Sequence, residues 1–192
     1  MRAIEIIHDE HRSLAAVLHG MLFLIREIRL RHTPAPFDVL GAMIHYIDAF
    51  PERFHHPKED AYLFKRLVER LPSTAPDVER VSSEHRRGAE MIRTLEHALF
   101  AYQHGGNAEF PKFAEAAAAY ASFHWEHMRF EEDVLIPMAR THLQPQDWDE
   151  IDSAFLGHTD PLFGTKAKDD YDALFRRIVT LAPPPIGVGP AR

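Results

Sequence analysis

A chain of 192 residues that is 45% hydrophobic and 27% charged is long enough to bury one substantial core and carries none of the compositional marks of disorder. Its 22 Lys and Arg against 29 Asp and Glu leave a formal charge of -7, with basic residues scattered among acidic ones, which gives no basis for a nucleic-acid partner. The absence of cysteine excludes disulfides, thiolate metal ligands, cysteine-ligated iron-sulfur clusters and cysteine nucleophiles, so any metal must be held by nitrogen and oxygen.

In chain order, the segment from Ala3 to about Arg31 carries apolar residues at Ile4, Ile7, Leu14, Val17, Leu18, Met21, Leu22, Ile25 and Ile28, the three-and-four spacing of a helix face. Thr33-Pro34-Ala35-Pro36 ends it. Its apolar run from Leu14 to Ile25 is interrupted by His19 and is too short to cross a bilayer, and Met1-Arg2-Ala3-Ile4-Glu5 lacks the form of a secretory signal. The expected setting is therefore soluble and cytoplasmic, without a membrane partner.

Asp38 opens a second helical stretch to about Leu71, which the prolines of Leu71-Pro72-Ser73-Thr74-Ala75-Pro76 close. Pro51 and Pro57 lie inside it and predict a kink or a break. Asp77 is the expected N-cap of a third helix that runs to His104 and stops at Gly105-Gly106, a strong C-terminal signal. Asn107 is the expected cap of a fourth, whose Ala-rich body from Phe113 to Ala121 continues to about Thr141, with Pro137 bending its last turns. Four such helices joined by short turns predict an all-α fold, an antiparallel four-helix bundle. Gln146 to Phe155 and Asp169 to Leu181 read as additional short C-terminal helices, separated by the turn-rich His158-Thr159-Asp160-Pro161-Leu162-Phe163-Gly164. The reading is one domain over residues 1–181 and a Pro-rich tail over 182–192.

Fourteen histidines are the compositional outlier, and their placement gives them meaning. The blocks His55-His56-Pro57-Lys58-Glu59-Asp60 and His127-Met128-Arg129-Phe130-Glu131-Glu132 each set a histidine four residues before a glutamate, which puts imidazole and carboxylate on one helix face a turn apart. At about 100° per residue Glu131 falls about 40° from His127 and Glu132 about 140°, so Glu131 is the better ligand. The same arithmetic selects Glu59 for His55 and pairs His56 with Asp60 on a neighbouring face.

With His11 and His85 added, the candidate ligands fall one set per main helix: His11, then His55 with Glu59, then His85, then His127 with Glu131. In an antiparallel hairpin, residues meet when they lie equally far from the turn. His11 is 31 − 11 = 20 residues before Arg31 and His55 is 55 − 38 = 17 after Asp38; His85 is 104 − 85 = 19 before His104 and His127 is 127 − 107 = 20 after Asn107. Both hairpins bring their ligands level. The middle connection fits less well, since His55 is 71 − 55 = 16 residues before Leu71 and His85 only 85 − 77 = 8 after Asp77, a mismatch of about 12 Å along the axis.

Four neutral imidazoles and two carboxylates suit two adjacent iron or manganese ions, with zinc less natural. Glu59 and Glu131 are the expected bridges and the histidines the terminal ligands. Six side chains do not saturate two six-coordinate ions, which leaves positions for an oxo or hydroxo group, a small diatomic molecule or peroxide.

These blocks, with Asp9-Glu10-His11 early and Glu84-His85 between them, resemble the hemerythrin-like proteins with an HHE cation-binding domain. The resemblance extends over roughly residues 3–142. It implies a non-haem di-iron centre in a four-helix bundle with His11, His55, Glu59, His85, His127 and Glu131 as ligands. The oxygen-carrying hemerythrins have a second histidine one turn along the third helix, where this chain has Ala89, and their helix-four carboxylate comes one residue later. Both differences point away from reversible oxygen carriage.

Among the other histidines, His8 and His124 lie within a turn of His11 and His127 and are the candidates for an extra or alternative ligand. His45 and His158 read as structural or exposed, with His158 placed to cover the site from a loop, and His19, His32, His97, His104 and His142 show no partner pattern. Phe54, Tyr62, Phe64, Trp125 and Phe130 are expected to pack the bundle. Three functions fit: a di-iron protein that binds or senses oxygen, nitric oxide or peroxide, or handles iron; a di-iron redox enzyme; and a metal-free helical interaction module. The oligomeric state is open.

Overall fold

The computed structural model describes residues 1–156. The expected helix over 169–181, the tail and His158 lie outside the described residues, which are helical with no strand.

Helix α1 (Arg2–Arg31) forms the first rod, buries Ile4, Ile7, Leu14, Leu18, Met21 and Ile25 on one face, and ends with His32 in the left-handed conformation at φ 54°. The second rod is composite. It runs through α2 (Phe37–Ile47), a π-helical segment Asp48–His55, the single turn α3 (His56–Lys58), a second π segment Glu59–Phe64 and α4 (Lys65–Arg70). The expected break at the prolines is thus a change of winding, because a wider turn accommodates Pro51, which has no N–H to give. The His56 N–H instead reaches back five residues to the Pro51 carbonyl. Pro57 falls at the junction where the first π segment passes into α3.

After a 3₁₀ turn at Pro72–Thr74, α5 (Ala75–Gly105) is the third rod. It starts two residues before the expected cap: Pro76 occupies its first turn, Asp77 sits inside that turn facing the positive end of the helix dipole, and the Thr74 hydroxyl donates to the Leu71 carbonyl. The stop at Gly105-Gly106 is as expected, with Gly106 at φ 72°. Asn107 does not cap the fourth rod but belongs to a 3₁₀ turn, and α6 (Phe110–Phe130) begins after Glu109. A third π segment, Glu131–Leu135, carries α6 into α7 (Ile136–His142).

Successive rods pack side by side and α6 closes on α1, which completes the four-helix bundle. Helix α8 (Pro145–Leu156) lies across one end, where Trp148, Ile151 and Phe155 join Ala3, Ile4, Ile7, Leu63, Phe64 and Leu67 in an apolar cluster. Arg70 fastens it by donating to both oxygens of Asp147 at 2.8 and 2.9 Å, and the Ala3 N–H donates to Asp152 at 2.7 Å. A larger apolar cluster of Leu14, Leu18, Met21, Leu40, Met43, Ile44, Ile92, Leu95, Phe113 and Tyr120 fills the other half of the bundle. Every rod therefore reads apolar, polar, apolar along its inner face, and the polar layer holds the histidines and glutamates. Of the expected packing aromatics, Phe54 and Phe64 are buried, whereas Tyr62 is exposed. No helix among the described residues is long and apolar enough to cross a membrane.

Candidate metal centre

All six residues singled out in the sequence meet in that layer. His11, His55, Glu59, His85, His127 and Glu131 are each no more than 6% exposed. The His11 and His55 Nε2 atoms are 3.2 Å apart, and they lie 3.3 Å from Glu131 and 3.3 Å from Glu59 respectively. His127 Nε2 is 3.2 Å from Glu131, and His85 Nε2 is 3.5 Å from Glu131 and 3.7 Å from Glu59. The axial mismatch at the middle connection disappears because Glu59, not His55, is level with His85: Glu59 is 71 − 59 = 12 residues before Leu71 and His85 is 85 − 75 = 10 after Ala75.

The imidazoles point Nε2 inward because each Nδ1 is engaged on the outside by a carboxylate: His11 with Glu132 at 2.8 Å, His55 with Glu10 at 2.7 Å, His85 with Asp60 at 3.0 Å and His127 with Glu84 at 3.0 Å. Such partners fix the ring and its tautomer and raise the basicity of the inner nitrogen. Each of these carboxylates is the chain neighbour of a candidate ligand on a different rod. Glu10 precedes His11, Asp60 follows Glu59, Glu84 precedes His85 and Glu132 follows Glu131. The sequence reading missed these four pairs, although the acidic neighbours were the visible signal. Asp60 serves His85, not His56 as the helical arithmetic suggested. Asp60 also accepts from the Ser82 hydroxyl at 2.6 Å.

Electrostatics set the layer apart from an ordinary buried network. Burial and the nearby charge of Glu131 hold the Glu59 carboxyl well above the usual carboxylate range, while Glu131 is pushed well below it, against burial, by His127, His11 and His85. Burial pulls His11 and His85 down, yet the Glu131 and Glu132 contacts of the first and the Asp60 and Glu131 contacts of the second raise both to about 9. Burial holds His55 well below its ordinary value. Both oxygens of Glu59, both of Glu131, and Nε2 of His85 and His127 are buried without a hydrogen-bond partner. Unpartnered donors of nitrogen and oxygen, converging at such separations in a dry core, fit a cation, which alone among simple ligands would satisfy all of them.

Two groups of potential ligands emerge, His11, His55, Glu59 and Glu131 in one and His56, His85 and His127 in the other. His56 is the addition. Its ring stacks on that of His85 with centroids 4.1 Å apart, and its Nδ1 faces Glu52 at 3.4 Å. His124 is fully buried but faces Glu52 from the other side at 3.4 Å, and His8 is half-buried beside Glu132 without joining either group. His19, His32, His45, His97, His104 and His142 are exposed.

No curated protein and no solved structure matches this chain. The profile of the hemerythrin HHE cation binding domain matches residues 2–139. That span contains every residue of the polar layer and most of the bundle around it, and the chain belongs to the hemerythrin HHE cation-binding domain family.

Proposed function

We propose that the layer is a dinuclear non-haem iron centre in a cytoplasmic protein, with His11, His55, Glu59, His85, His127 and Glu131 as its protein ligands. In this reading it binds or senses oxygen, nitric oxide or peroxide, or handles iron. The observation that carries the reading is the set of six buried nitrogen and oxygen donors, four of them imidazoles aimed inward by an outer carboxylate. Mixed imidazole and carboxylate donors favour iron or manganese over softer or purely oxygen-seeking ions. The centre supplies open coordination positions for a small exogenous molecule. The chain supplies burial, fixed ring orientation and two carboxylates able to span neighbouring ions.

The test is metal content by mass spectrometry on untagged protein from iron-supplied cells. About two irons per chain are expected, falling sharply in the His55→Ala, His127→Ala double variant. Metal-free protein would overturn the assignment and leave the helical interaction module, and a double variant that keeps its iron would overturn the ligand set. A redox enzyme built on the same centre is the second reading, favoured by Glu131, whose two oxygens face His11 on one side and His85 and His127 on the other. It requires steady turnover of peroxide or an organic substrate that Glu59→Ala abolishes.

A further inference from the structure

Helix α8 begins after the family domain ends and has no part in the dinuclear reading, yet it is seated on the segments that carry the ligands. It packs against α1 and against the π segment Glu59–Phe64. That segment has two duties: its first residue is the candidate ligand Glu59, and Leu63 and Phe64 at its other end are buried in one apolar cluster with Trp148, Ile151 and Phe155 of α8. The π segment Glu131–Leu135 repeats the pattern, with Glu131 in the polar layer and Leu135 in that same cluster. On α1, Ile7 of the cluster lies one turn before His11.

Two contacts join the layer to α8 more directly. The Phe64 ring faces that of His85 with centroids 6.2 Å apart and planes within 24°. The Lys58 ammonium, one residue before Glu59, lies 3.7 Å from the centroid of Phe54 and 5.5 Å from that of Phe155 on α8. The polar fastenings of α8, by contrast, sit at or near the surface, with Arg66 donating to Glu150 at 2.9 Å and Arg70 to Asp147 at 2.8 Å. Ion pairs in that setting add little, so the helix depends on its three apolar anchors and on a seat whose shape the ligand-bearing segments set. A π turn is a local rewinding of the rod. The oxygens of Glu59 and Glu131, at the heads of both segments, are buried without hydrogen-bond partners, so drawing them together on a cation fixes the winding that places Leu63, Phe64 and Leu135.

We propose that docking of α8 and occupancy of the metal layer are coupled: a cation on Glu59 and Glu131 locks the two π segments, the locked segments form the seat, and α8 is the element through which the chain reports that the layer is filled. The inference rests on the metal-centre reading above. Its two states are the seated helix and a locally opened one, an opening short of global unfolding. Coupling of this kind is reciprocal, so an α8 that cannot dock must weaken metal binding by the factor by which metal favours docking.

The test is hydrogen exchange by mass spectrometry on the full chain, metal-free and loaded with iron(II) in the absence of oxygen, together with iron affinity by chelator competition. Loading should slow exchange over 145–156 by about 10-fold more than over 37–47, which belongs to the other apolar cluster. Ile151→Asp puts a charge into the seat of α8; it should remain helical by circular dichroism and reach the same iron content at saturation, while binding iron about 10-fold more weakly. Leu40→Ala, which opens a cavity in the far cluster, controls for general loss of stability and should keep wild-type affinity. Equal slowing of both segments, wild-type affinity in folded Ile151→Asp, or an equal loss of affinity in Leu40→Ala overturns the coupling and leaves the metal centre standing. If Ile151→Asp does not fold, the exchange comparison in wild type decides. Wild type that binds no iron overturns the coupling and the metal-centre reading together.

Discussion

Glu131 and Glu132 are neighbours with opposite fates. Glu131 is fully buried between three imidazoles, whereas the Glu132 side chain is 41% exposed and reaches only the outer nitrogen of His11. Glu131→Ala is therefore expected to abolish metal uptake at this centre, and Glu132→Ala to weaken it there by about 10- to 100-fold, the cost of losing an orienting partner. Competition with a chelator of known affinity measures both, and equal losses would contradict the division of roles. This choice was legible in the sequence because it needs only the angular step of a helix. The outer pairs were not, since Glu84 and His127 lie on different rods and only the assembled bundle brings them to 3.0 Å. Glu52 left a fainter trace: Glu52-x-x-x-His56 has the same four-residue spacing as His55-x-x-x-Glu59 but runs in the opposite order along the chain.

At the level of elements, the composite rods were only half legible. Prolines at 51, 57 and 137 announced departures from regular α-helix, but not that one would lie inside, and the other two beside, widened turns at Asp48–His55, Glu59–Phe64 and Glu131–Leu135. All three π segments begin or end at candidate ligands or next to them, where such winding re-aims a side chain without breaking the rod. The helix over Gln146–Phe155 was legible from its periodicity, but its berth was not, because Arg70 and Asp147 are far apart in the chain. Arg70 holds the Asp147 carboxyl below its ordinary value. A carboxylate lowered in the folded state adds stability that is present above the unfolded value of about pH 4 and is lost as the pH falls through the depressed value. Arg70→Ala should thus melt below wild type at neutral pH, with the gap closing on acidification. A gap that widens in acid would show that the clamp stabilises by some other means.

For the whole molecule, the bundle was legible because each of the four helices carries one apolar face and a short connection. The layered core, polar between two apolar clusters, follows from the same faces once the histidines are seen to interrupt them at one level. Such a layer is costly when unfilled, since unpartnered buried polar groups each lose their hydration. Removing metal should lower the melting temperature by roughly 10 °C, the effect of a ligand held at 100 to 1,000 times its dissociation constant on a domain of this size. Calorimetry before and after chelation checks it, and coincident melting curves would sink the metal-centre reading.

The outer carboxylates have a bearing on charge as well as on orientation. Glu10, Asp60, Glu84 and Glu132 surround four imidazoles that also face Glu59 and Glu131. This crowd of negative groups around a sheltered interior sets a potential that favours whichever occupant carries more positive charge. Neutralising Glu84 as Glu84→Gln should accordingly shift the midpoint potential of the loaded protein upward, while a downward shift in voltammetry would mean that ring orientation and not field governs it. The ring of acids that aims the histidines is thereby also a setting for electron affinity.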